Sequence, residues 1–101
     1  MLEGPSSILL VAHGDLDFEA AKRLRGTVDH VLAVHPHSLV LDLGDVDFLD
    51  SSGVAMMLRL RRSVLADSAT VTICSLSPAA HRTLELCGLL ESFGVEPTGV
   101  A

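Results

Sequence analysis

The chain has 101 residues, a formal net charge of −6 and a hydrophobic content of 49%. A chain of this length is expected to form one domain over residues 1–101, and its apolar residues are numerous enough to build a core. There is no Trp or Tyr, and three Phe are the only aromatic side chains. The acidic charge and the few aromatic residues argue against nucleic acid as a partner.

The sequence carries no apolar stretch long enough to span a bilayer, and no basic segment precedes its first apolar run as in a signal peptide. Cys74 and Cys87 could pair in principle. Without a secretion signal, they are interpreted as free thiols in the core. These features predict a cytoplasmic protein that does not insert into a membrane.

The first half of the chain predicts a strand, a helix and a second strand. Residues 8–12 form an apolar run too short for an isolated helix, which predicts a buried strand. Asp17 is suited to cap the helix that the periodicity predicts over 18–34. Pro36 ends that helix, because proline cannot continue it. Residues 38–43 then predict a core strand.

The second half repeats this alternation. A loop over 44–53 leads into a helix over roughly 51–66, and the β-branched residues at 70–74 predict a third strand. Ser77-Pro78 opens a further helix, with serine as its cap and proline at its first position. Residues 89–95 are predicted to add a short edge strand, and both ends of the chain, 1–6 and 96–101, are expected to be frayed.

Strands that alternate with helices are typical of an α/β layer in which neighbouring strands are parallel. We therefore expect a mostly parallel sheet of four strands, or five, with three main helices. In such sheets, functional sites collect at the carboxyl ends of the strands. The polar residues predicted at that edge are Asp15, Asp17, Asp45, Asp47, Asp50, Ser51, Ser52, Ser75 and Ser77.

The sharpest local motif is Asp50-Ser51-Ser52-Gly53 at a predicted helix start. One interpretation is structural: Asp or Ser caps the helix, and Gly53 permits a close approach of the backbone. The other is functional, because a serine here displays its hydroxyl beside unpaired N–H groups that could receive a phosphate. The two interpretations are compatible. Met56, one turn further and off the apolar face, is a candidate partner contact.

Three segments resemble the STAS domain of bacterial anti-sigma-factor antagonists. They are Gly14-Asp15-Leu16-Asp17, LVLDLGDVDFLDSSGVAMML at 39–58 and ICSLSPAAHRTLELCGL at 73–89. The resemblance implies a STAS-like fold and a phosphorylation cycle that regulates transcription. An anti-sigma factor with serine-kinase activity would phosphorylate Ser51, and a serine phosphatase would reset it. Only the unphosphorylated protein would bind the anti-sigma factor.

Carried over by position, the resemblance assigns Asp17, Asp50, Ser52 and Gly53 to the contact surface around Ser51. The family usually opens with an antiparallel strand and often ends with a helix. Only seven residues, MLEGPSS, precede Ile8, and the chain stops at Ala101. The first strand is therefore expected to be short or missing, and the last helix absent.

Other function classes are weaker. Five histidines are present, but only His13 is expected near the serine motif, and no nucleophile-elbow motif occurs, so we predict no enzymatic activity. No zinc spacing and no phosphate-binding glycine loop occur, so neither metal nor cofactor is expected. The main alternative lies within the same family: a cytoplasmic subunit of a lipid-transport ABC system that docks on its ATPase. The intact Asp50-Ser51-Ser52-Gly53 motif favours the regulatory role.

Overall fold

The structure is a computed structural model that describes residues 7–95. Helices and strands alternate along it, as the sequence predicts. The elements are β1 (Ser7–Leu16), α1 (Phe18–Arg23), α2 (Arg25–Val34), β2 (Ser38–Leu49), α3 (Ser51–Ala66), β3 (Thr70–Leu76), α4 (Pro78–Leu86) and a 3-10 helix (Glu91–Phe93). The predictions for 1–6 and 96–101, including the family's opening strand, fall outside the described residues.

The sheet within residues 7–95 has three strands in the order β1-β2-β3, and both pairs of neighbours are parallel. The α/β class and the parallel arrangement are therefore confirmed. The count of four or five strands is not, because the described residues form three. No helix in this part of the chain is long and apolar enough to cross a membrane.

The edge strand predicted at 89–95 is wrong, because Glu91–Phe93 form a 3-10 helix there. Leu90 and Phe93 are both buried, at a spacing of three residues that suits a 3-10 turn and not an alternating strand. Gly94 ends the turn with φ of 75°, in the left-handed region. The turn is also tied to α3, because Arg61 Nε donates a hydrogen bond of 2.9 Å to the carbonyl oxygen of Ser92.

The single helix predicted over 18–34 is divided at Leu24 into α1 and α2. The backbone of Leu24 leaves the helical region, with φ of −91° and ψ of 0°, while its N–H still donates to the carbonyl oxygen of Ala20 at 2.8 Å. Ala20 is buried on α1, and Val28 and Val31 are buried on α2. Apolar periodicity therefore continues through the break, which is why the sequence predicts one helix.

β2 is longer than the predicted strand at 38–43 and absorbs most of the predicted loop. Its extension to Leu49 pairs with the end of β1 through two register shifts. One lies between Val11 and His13 of β1, and the other lies between Gly14 and Asp15. On the β2 side of the first shift, Oδ1 of the Asp42 carboxylate accepts a hydrogen bond of 3.0 Å from the N–H of Gly44. These shifts interrupt the alternation expected of a regular strand, so the sequence pattern resembles a loop.

The core lies between β2 and the helices, and β2 supplies the fully buried Leu39. Cys74 and Cys87 are free thiols, but both are exposed, so their predicted place in the core is wrong. Side chains alternate along a strand, and the buried Ile73 leaves its neighbour Cys74 on the opposite face. Cys87 lies beyond the last buried turn of α4, at its C-terminal cap.

Candidate functional site

The start of α3 is held by the side chain of Asp50. Its Oδ1 accepts hydrogen bonds from the backbone N–H of Ser52 at 2.9 Å and of Gly53 at 3.2 Å. The predicted capping role is therefore confirmed, with Asp50 as the cap. The expectation of unpaired N–H groups beside Ser51 is corrected, because this carboxylate already occupies the amides of Ser52 and Gly53.

Gly53 allows α3 to begin directly against the end of β1. A Cβ atom on Gly53 would lie 2.5 Å from the carbonyl oxygen of Leu16 and 2.6 Å from Cδ1 of Leu49. The backbone N–H of Asp50 donates to that same Leu16 oxygen at 3.3 Å. The close approach predicted from the motif is confirmed, and it fixes the serines relative to the β1 end.

Asp17 follows directly on β1 and caps the neighbouring helix. Its Oδ1 accepts a hydrogen bond of 2.9 Å from the backbone N–H of Ala20. Because Asp50 binds Leu16, the residue before Asp17, the starts of α1 and α3 lie side by side. Each start is capped by an aspartate whose carboxylate accepts from backbone amides.

The two serines of the motif differ in their surroundings. Ser51 is exposed at the first position of α3, whereas Ser52 is half-buried and lines a groove that runs between α3 and the first two helices. Met56, predicted to lie off the apolar face of α3, is instead half-buried and packs partly against the core, and it lines the same groove. The structure thus brings Asp17, Asp50, Ser51, Ser52 and Gly53 together, with Met56 one turn along α3.

Carboxylates lie along the last parts of β1 and β2 and at the two helix caps that follow these strands. Three of them are exposed and two are half-buried caps, and we call the five the acidic rim: Asp15, Asp17, Asp45, Asp47 and Asp50. Asp45 lies opposite His13 in the register of β1 and β2. Asp42 is not part of the rim, because its carboxylate is turned to the amide of Gly44.

The helix start also borders a groove of about 440 Å³, which the sequence analysis missed. Basic and apolar side chains line it, and we call it the basic groove: Phe18, Ala21, Lys22, Arg25, Val28, Ser52, Ala55, Met56 and Arg59. Nζ of Lys22 lies 5.5 Å from the ring centroid of Phe18. Phe18 and Lys22 are four residues apart, which predicts that they share a helix face. This spacing is the one sign of the groove that the sequence contains.

Charged side chains at the far end of α3 belong to the scaffold. Nδ1 of His35 lies 2.8 Å from Oδ2 of Asp67, which is the C-cap of that 16-residue helix. A helix of this length spans about 24 Å, so this pair is remote from Ser51. Among residues 7–95, no three His, Cys, Asp or Glu side chains are grouped so as to hold a metal ion.

The chain is similar in sequence and fold to known proteins. An anti-sigma F factor antagonist of Paenibacillus polymyxa is 26% identical over 92 residues, covering 89% of this chain and 79% of that protein. The structure of an anti-sigma factor antagonist from Mycobacterium paratuberculosis superposes with a TM-score of 0.79 and 26% identity, covering 96% of this chain and 82% of the other. Unphosphorylated SpoIIAA, also an anti-sigma factor antagonist, shares the fold, with a TM-score of 0.76, 19% identity, and 97% and 85% coverage.

The resemblance predicted from the serine motif and its flanking segments is also confirmed by a family model. The model of the STAS domain matches residues 1–99, nearly the whole sequence. The chain belongs to the STAS domain family.

Proposed function

We propose that this protein is an anti-sigma-factor antagonist that binds an anti-sigma factor and is released when Ser51 is phosphorylated. The observation that carries the proposal is an exposed serine at the start of α3, beside the Asp50 cap, in a chain whose relatives include anti-sigma factor antagonists. Its role is regulatory binding, with sigma-factor-dependent transcription as the process controlled. Catalysis is not part of this role.

Electrostatics supports phosphorylation as a switch. A phosphate adds roughly −1.5 to −2 charges at neutral pH. At Ser51 that charge would be added next to Asp50, whose carboxylate already accepts from the amides of Ser52 and Gly53. The phosphate therefore cannot accept hydrogen bonds from these two amides. Its charge stays on the surface that the partner must contact. A partner whose surface matches the unmodified site would bind with lower affinity, because of repulsion or lost contacts.

The proposed partners follow from the same cycle. An anti-sigma factor with serine-kinase activity would modify Ser51, and a serine phosphatase would remove the phosphate. Contacts around the serine are assigned to Asp17, Asp50, Ser52, Gly53 and, one turn along α3, Met56. The relatives described above do not favour the alternative role in lipid transport, and the intact serine motif supports the regulatory one.

Incubation with candidate anti-sigma factors and ATP, followed by mass spectrometry, tests the acceptor. We expect one phosphate on Ser51, no modification of Ser51→Ala and unchanged modification of the matched control Ser52→Ala. Because Asp50 supplies the cap, Ser51→Ala is expected to fold normally, which thermal unfolding checks. Phosphate on Ser52, or persistent modification of Ser51→Ala, would show that the acceptor is wrong.

A further inference from the structure

Charge is unevenly distributed around the start of α3. The chain has a net charge of −6, yet three of its seven Lys and Arg residues line the basic groove. Along the ends of β1 and β2 and at the caps that follow them, the acidic rim holds five of the thirteen Asp and Glu residues. The proposed switch serine therefore has Asp50 of the acidic rim on one side of it in the chain and Ser52 of the basic groove on the other.

The basic groove combines these cations with exposed apolar surface. Phe18 is 60% exposed, a high value for one of three aromatic residues in the chain. Arg59 is partly neutralised, because its Nη2 lies 2.6 Å from Oδ1 of Asp29. Among residues 7–95, neither Lys22 nor Arg25 has a carboxylate within ion-pair distance. The groove thus offers two available cations beside a hydrophobic ring.

We propose that the basic groove binds an acidic, amphipathic segment of the anti-sigma factor, an inference that rests on the function proposed above. The apolar side of that segment would cover Phe18 and Met56, while its carboxylates would meet Lys22 and Arg25. Aromatic and arginine side chains in a groove between helices are typical anchors of protein interfaces. Charge complementarity therefore favours an acidic partner segment at this groove, although the net charge of the chain itself is −6.

The two surfaces together specify how the partner is oriented. An anti-sigma factor that places acidic residues in the groove must present neutral or basic residues to the rim. A partner that exchanged these two contacts would bring like charges together at both surfaces, which is strongly unfavourable. Ser51 follows Asp50 at the start of α3, so a phosphate there adds negative charge next to the Asp50 carboxylate.

The test is the affinity of the anti-sigma factor that phosphorylates Ser51 for the double variant Lys22→Glu/Arg25→Glu. We expect a loss of about tenfold or more at low salt, and a smaller loss at high salt because the charges are exposed. The matched control, Arg62→Glu/Arg82→Glu, changes the net charge equally at exposed positions outside the groove and should bind within about twofold of the unmodified chain. Phe18→Ala should also weaken binding, by a loss that salt does not reduce.

The outcomes separate this inference from the proposed function. If the unmodified chain binds no anti-sigma factor, the proposed function is wrong and the groove assignment falls with it. If the unmodified chain binds while the groove and control variants lose equal affinity, the affinity depends on the overall charge of the protein. The groove assignment alone would then be wrong. A groove variant that retains full affinity would lead to the same conclusion. Thermal unfolding of each variant excludes loss of the fold as the cause.

Discussion

Replacement of Phe93 by Ala is expected to lower the free energy of unfolding by about 3–5 kcal/mol. Phe93 is fully buried, at 0% exposure, although it lies in a short 3-10 helix near the end of the described chain. Truncation to Ala removes buried apolar surface and leaves a cavity that the neighbouring helix and sheet can fill only in part. Chemical denaturation of the purified protein measures the difference.

Leu86→Ala is the matched control for Phe93→Ala. Leu86 is 82% exposed at the end of α4, so its truncation should change the unfolding free energy by no more than about 0.5 kcal/mol. Equal losses for the two variants would contradict the burial of Phe93. In the structure the 3-10 helix contacts β3. Equal losses would show that this contact is wrong and would support an edge strand at residues 89–95 instead.

Gly53→Ala is expected to destabilise the protein by about 1–3 kcal/mol, because it overpacks a tight contact. The new Cβ would lie 2.5 Å from the carbonyl oxygen of Leu16, and backbone cannot rotate away as a flexible side chain can. The start of α3 would have to move from β1 and weaken the 3.3 Å hydrogen bond from Asp50 to that oxygen. Both stability and the position of Ser51 should therefore change.

Gly26→Ala separates this clash from the general effect of an added methyl group. Gly26 lies in α2, and no atom lies within 4 Å of the position its Cβ would take. Alanine is the better helix former, so this variant should be more stable by up to about 1 kcal/mol. If Gly53→Ala were also neutral or stabilising in chemical denaturation, the contact between α3 and the β1 end would be looser than the structure indicates.

Local signals in the sequence predict the elements that begin with a cap. Asp17, Asp50 and Ser77 each accept from a backbone amide of the helix that follows, as expected from their side chains. A cap is formed by residues within a few positions of each other, so sequence contains most of what determines it. The register shifts that lengthen β2 depend on β1, which is more than 20 residues away in the chain, and no local pattern predicts them.

The site at the serine motif could be predicted from the sequence. The charged residues that surround it could be predicted only in part. Asp17 and Asp50 each follow one of two neighbouring parallel strands, so topology brings these two carboxylates together. Asp42 lies close to Asp45 and Asp47 in the sequence, yet its carboxylate accepts from the amide of Gly44 beside a register shift of β2. The basic groove joins Lys22 and Arg25 to Arg59 on another helix, and such a juxtaposition depends on tertiary packing.

The affinity of the anti-sigma factor for the unmodified and the Ser51-phosphorylated protein tests the central claim most directly. Both forms can be compared by isothermal titration calorimetry at the same salt concentration. We expect phosphorylation to weaken binding by about 5- to 150-fold, the range that a coupling of 1–3 kcal/mol produces. Equal affinities for the two forms would contradict an electrostatic switch at Ser51.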